Sequence, residues 1–81
     1  SPADVSQVLA RALAEPVRGL GARRLRLEPD AAEYLAQASA GDARWALNAL
    51  EGASHMVADG GALTLALCEQ AAARPAHAAD Q

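Results

Sequence analysis

A small all-α bundle of four short helices is the fold class this sequence predicts, with a short irregular or extended segment between helices 1 and 2. Three observations predict it. Apolar side chains recur at three- and four-residue spacing, which puts them on one face of a helix. Alanine, the residue with the best intrinsic helix propensity, fills 23 of the 81 positions. Start and stop signals punctuate the chain at Ser1-Pro2, Glu28-Pro29, Gly41-Asp42 and Asp59-Gly60-Gly61.

The first helix is expected over Ser1–Glu15. Ser1 suits the N-cap, Pro2 the first helical position, and Asp4 stands where a capping box needs an acid. Val5, Val8, Leu9, Ala12 and Leu13 give one apolar face, and Pro16 ends the helix. In PVRGLGARRLRL, Gly19 and Gly21 suit turns, and Leu25 and Leu27 alternate with Arg24 and Arg26. That alternation predicts a short extended segment, too brief to seed a sheet.

The second helix is expected to start at Pro29 after Glu28, with Asp30 and Glu33 in its first turn. Its apolar stripe would be Ala31, Tyr34, Leu35 and Ala38, with Gly41 closing it. The third runs from about Asp42, a good N-cap, to Val57, burying Leu47 and Leu50 with Ala43, Ala46, Ser54 and Val57 at compatible spacing. The fourth follows Thr64 as cap, with Leu67, Cys68 and Ala71 inward, and frays toward Arg74-Pro75. Residues 1–74 thus form the domain, and the Ala-rich 75–81 reads as a linker or frayed tail.

Composition narrows the function. A chain this short buries only about 60% of the surface its unfolded form exposes, and small side chains gain little area per contact, so the core should be thin. There is no Phe, one Trp and one Tyr. A net charge of −3 argues against a phosphate-binding surface over the whole domain, while leaving a local basic spot open. All seven basic residues are Arg, which with abundant Ala fits a GC-rich genome. The single Cys68 excludes an internal disulfide and suits a reducing cytoplasm. No apolar run approaches a membrane span, and no signal peptide is visible. The start SPAD, with no initiator Met, leads us to expect a piece of a longer protein.

The chemistry-bearing patterns are sparse. A P-loop requires a Lys, and the chain has none. His55 and His77 are isolated and Cys68 lacks a partner at ligand spacing, so no metal site is expected. The hydroxyls of Ser6, Ser39 and Ser54 and the imidazole of His55 are the candidate nucleophile–base set, but Ser54 and His55 are neighbours that point to different sides of a helix. No catalytic residue is assigned. Arg18, Arg23, Arg24 and Arg26 could touch nucleic acid or a partner subunit, or could line a solvated loop with Leu25 and Leu27 turned inward.

The stretch GDARWALNALE, residues 41–51, raises a sharper question. Arg44 places a cation at the positive end of the third helix, a location disfavoured by about 0.3–1 kcal/mol. A long side chain can simply reach solvent. Alternatively, Arg44 faces outward to meet an anion, which helix N-terminal N–H groups also attract.

GDAR-x-ALN-x-LE resembles the sensor 2 motif in the lid of AAA+ ATPases of the replication-associated recombination protein A family. The likeness extends through DVSQVLARAL, RGLG, LRLEPDAAEYLA, GDARWALNALEGA and ALTLALCEQA, over roughly residues 1 to 74. RGLG and the LT-initiated last helix narrow it to this family over its cousins, the clamp-loader subunits and the Holliday-junction motor RuvB. The resemblance implies a helical lid over ATP bound, with Mg, by a separate ATPase core of the same chain. It implies that Arg44 reaches the γ-phosphate and that Ala43 lies near the nucleotide. It also implies a bacterial, cytoplasmic, DNA-dependent ATPase that acts at stalled replication forks in repair and recombination. Such a protein is homo-oligomeric when intact, meets DNA through its other parts, associates with the nucleoid when active and uses no membrane. Members commonly carry a second Arg where this chain has Trp45, and no role is carried onto Trp45. The isolated piece, with one guanidinium, is expected to bind ATP negligibly and to be inactive. The rival expectations are an α-helical protein- or DNA-interaction module, and the lid of a clamp-loader or RuvB-type cousin.

Overall fold

The computed structural model describes residues 1–15 and 20–73. Pro16, Arg18, Gly19, Arg74, Pro75, His77 and the expected tail 75–81 lie outside the described residues. Four helices account for most of what is described: α1 (Pro2–Ala14), α2 (Pro29–Ala38), α3 (Ala43–Ser54) and α4 (Leu65–Ala73). A 3₁₀ turn (Gly21–Arg23) and two short strands, β1 (Arg26–Leu27) and β2 (Ala62–Leu63), complete the order. The all-α expectation holds.

Local chemistry sets the helix starts. Ser1 caps α1 as expected: its Oγ accepts from the Asp4 N–H at 3.4 Å while Asp4 answers the Ser1 amino group at 3.5 Å. Pro29 opens α2 directly after Glu28. Asp42 caps α3, and the Thr64 Oγ1 accepts from the Leu67 N–H at 3.2 Å to start α4. Between α2 and α3 the chain reverses through two left-handed residues, Ala40 at φ 52° and Gly41 at φ 90°. Gly41 suits such backbone because it has no Cβ to clash.

One expectation is corrected. The segment after the 3₁₀ turn does seed a sheet, if the smallest kind: β1 pairs with β2 in parallel, Arg26 opposite Ala62 and Leu27 opposite Leu63. The Arg26 N–H donates to the Gly61 carbonyl at 3.0 Å and the Glu28 N–H to the Leu63 carbonyl at 3.1 Å. Parallel strands need a long crossover, which α2 and α3 supply. The pairing is therefore remote in sequence, and two residues per strand are too few to show a period.

The core is thin, as the composition implies. Its largest fully buried side chains are Leu9, Leu35, Leu50, Leu63, Val5, Cys68 and Ser54. On α1, Val5 and Leu9 are buried, with Ala12 and Leu13 half-buried beside them. On α2 the stripe is Ala31, Leu35 and Ala36 rather than Ala38, which is exposed, while Tyr34 is half-buried. The α2 face therefore turns about one position from that expected, because α2 is wedged between α1 and α4 as well as α3. On α3 the buried line is Ala46, Ala49, Leu50, Ala53 and Ser54, leaving Leu47 half-buried. On α4, Cys68 and Ala71 face inward. A Cβ on Gly52 would stand 3.4 Å from that of Ala71, so α3 and α4 lie in close contact.

The 3₁₀ turn is the node that joins the ends. The Leu20 N–H donates to the Ala12 carbonyl at 2.8 Å and Gly21 N–H to that of Glu15 at 2.9 Å, closing the end of α1. Any Cβ at Gly21 would sit 2.7 Å from the Ala14 carbonyl oxygen, so only glycine lets the turn approach α1 this closely.

Candidate functional site

The two arginines nearest the ends of α3 have opposite fates. At the C-terminal end, α3 carries no basic residue in its last turn. Arg23 supplies one from the 3₁₀ turn. Its Nη1 donates to the Ser54 carbonyl at 2.6 Å, its Nη2 to the Val57 carbonyl at 2.7 Å, and its Nε to Asp59 Oδ1 at 2.6 Å. Its own carbonyl accepts from the Gly60 N–H at 2.7 Å. A cation here meets the negative end of the helix and fills its unsatisfied carbonyls. The Arg23 side chain is only 28% exposed whereas that of Asp59 is 74% exposed, so the two carbonyl bonds outweigh a largely solvated ion pair.

At the N-terminal end stands Arg44, exposed in the first turn of α3. Among the described residues its guanidinium makes no hydrogen bond or ion pair. Asp42 Oδ1 accepts from the backbone N–H groups of Arg44 at 3.1 Å and Trp45 at 3.3 Å. This alters the reading of the helix end as an anion cradle. A carboxylate already takes those two N–H groups, so an incoming anion would meet the Arg44 side chain rather than two free amides. The same carboxylate supplies the negative charge that suits a helix N-terminus, which offsets the misplaced cation without engaging it.

Ala43 is half-buried beside Arg44 at the first position of α3. Trp45 is half-buried and packs against the core, so it covers the bundle from the same turn that turns Arg44 outward. The basic cluster around the 3₁₀ turn does not assemble as one surface. Arg23 is drawn inward, Arg24 and Arg26 are exposed, and Arg18 lies outside the described residues. Leu25 is buried and Leu27 half-buried, so the chain there turns its leucines inward.

Two of the candidate hydroxyls are spent on structure. Ser39 Oγ donates to the Ala36 carbonyl at 2.9 Å, and Ser54 Oγ to that of Glu51 at 2.6 Å. Ser54 is buried while His55 is exposed, so the two do not converge. Cys68 is buried, and desolvation, with the nearby Asp30 charge adding to it, pushes its thiol up from 9.0 to about 11. Among the described residues no three or more His, Cys, Asp or Glu side chains gather where they could hold a metal ion. No helix there is long and apolar enough to cross a membrane. Sequence reasoning missed the carbonyl clamp of Arg23. The only signals for it were a basic residue near a turn and an Asp-Gly-Gly stop 36 residues later, which nothing local links.

Comparison with known proteins falls on this architecture. The sequence model of the family described as AAA C-terminal domain matches residues 21–81, three quarters of the chain. Replication-associated recombination protein A of Haemophilus influenzae is 51% identical over 49 residues, 60% of this chain. The chain spans only 11% of the length of that relative. No solved structure matches significantly. A four-helix bundle whose third helix presents an exposed arginine from its first turn is thus matched in sequence over most of its length, and the chain belongs to the AAA C-terminal domain family, as an AAA+ lid similar to a stretch of replication-associated recombination protein A.

Proposed function

We propose that this lid senses ATP through Arg44, in an ATPase whose nucleotide and Mg are held by a separate core of the same protein. The observation that carries the reading is the state of Arg44. It is exposed at the start of α3 and has no anionic partner among the described residues. A guanidinium offers a planar fork of donors suited to phosphoryl oxygens. Its charge complements a terminal phosphate that the backbone, occupied by Asp42, does not need to hold. Ala43, small and adjacent, leaves room for a nucleotide to approach.

In this reading the lid's part is to orient and to report. When the terminal phosphate leaves, Arg44 loses its anion and the lid is released, as in other phosphate-held switches. Family kinship extends the proposal to a bacterial, cytoplasmic, homo-oligomeric and DNA-dependent ATPase that works in replication-fork rescue and recombination. Arg44→Ala in the intact protein tests the role. Removing a charge-assisted contact made to the reacting phosphate should lower ATP turnover by roughly tenfold or more, while circular dichroism shows the helices retained. Unchanged turnover would remove the role.

A further inference from the structure

We infer that Arg23 is a positioning residue for Arg44, acting along the length of α3; the inference rests on the proposed role of Arg44. Arg23 uses all three of its guanidinium nitrogens, on the Ser54 and Val57 carbonyls and on Asp59. These acceptors belong to the last residue of α3 and to the turn that leads from it toward β2. The clamp therefore ties the C-terminal end of α3 to the 3₁₀ turn, which is itself bonded to the end of α1.

The fully buried side chains of α3 are mostly small, and Trp45 and Leu47 pack half-buried against the core beside them. Of the helix's five buried residues, three are Ala and one is Ser, with Leu50 the single large side chain. Small contacts gain little area, so the clamp adds a directional restraint at the end of α3 where only Ala53 and Ser54 are buried. A helix of 12 residues is a rod of about 18 Å, so a change of angle at the clamped end moves the opposite end by the full lever arm. Arg44 sits at that opposite end, exposed and with no side-chain hydrogen bond or ion pair among the described residues. The clamp at Arg23 fixes where Arg44 points.

Lysine cannot reproduce the clamp, because one ammonium is a point charge where three diverging N–H directions are needed. The test is a double-mutant cycle in the intact ATPase with Arg23→Lys, Arg44→Ala and both together, with thermal unfolding followed alongside turnover. Arg23→Lys should remain folded and lose roughly three- to tenfold in ATP turnover, while the double variant should be no slower than Arg44→Ala alone. Full turnover in Arg23→Lys, or losses that multiply in the double variant, would overturn the inference and leave Arg44's role standing. Should Arg44→Ala alone keep full turnover, it is the sensing role that fails instead. If Arg23→Lys does not fold, Asp59→Ala removes one acceptor from an exposed position and carries the same cycle. A smaller loss that disappears in the Arg44→Ala background supports the inference; a loss that persists there, or no loss at all, refutes it.

Discussion

Arg44 and Arg23 show how much a single side chain's surroundings decide. Both are arginines in short, turn-rich stretches, and both carry the same charge. One meets the negative end of α3 and bonds to the carbonyls of its last residue and of the turn beyond it; the other stands at the positive end and makes no side-chain hydrogen bond or ion pair among the described residues. The oddity of Arg44 was legible in the sequence, because cap and dipole are local properties that Asp42 and Arg44 display within three residues. The role of Arg23 was not, since its acceptors are backbone atoms 31 and 34 residues away. Cys68 yields a prediction at the same scale. Its thiol is raised from 9.0 to about 11 by burial, with Asp30 adding to the effect. Below pH 9 both folded and unfolded chains hold the proton, so the fold bears no penalty. As pH rises toward 11 the unfolded chain releases it first, and stability is lost across that window. Urea midpoints taken between about pH 8 and pH 11 should fall more steeply for the native chain than for Cys68→Ala; parallel curves would deny the thiol that role.

At the scale of elements, the helix starts follow from their caps, and the packing faces follow from spacing only in part. Leu35, Leu50, Val5 and Leu9 are buried as their periodicity implies. Alanines at Ala36, Ala49 and Ala53 are buried without a pattern to announce them, because a chain so rich in Ala has Ala on every face. Leu63 is wholly buried, although a segment bounded by Gly61 and Thr64 reads as a loop. Its burial comes from pairing with β1, which is a long-range property. The α3 start makes a quantitative claim. Asp42 takes the N–H groups of Arg44 and Trp45, so Asp42→Ala should cost about 1 kcal/mol, within the usual range for losing an N-cap. Urea denaturation measures this directly, and a loss near zero would mean that the carboxylate is not the cap. The cost matters because a chain of 81 residues is expected to hold only about 4–12 kcal/mol in total.

Over the whole molecule, the fold spends its few large side chains on one small core and leaves a charged, half-polar exterior. Its Cα radius of gyration, 11.6 Å, is what a well-packed chain of this length should have. In that core the Ser39 and Ser54 hydroxyls bond to carbonyls of their own helices, and burial raises the Cys68 thiol to about 11. The domain carries an exposed arginine at one end of its third helix. Family membership shows which class of protein carries such a domain; under the proposed sensing role, the bundle serves to aim the arginine. The most direct measurement compares the affinities of the intact ATPase and its Arg44→Ala variant for a non-hydrolysable ATP analogue and for ADP. If Arg44 reads the terminal phosphate, affinity for the triphosphate should fall by roughly ten- to a hundredfold, the worth of one charged hydrogen-bonded contact, and affinity for ADP should hold. Equal losses for both nucleotides, or none for either, would contradict the account.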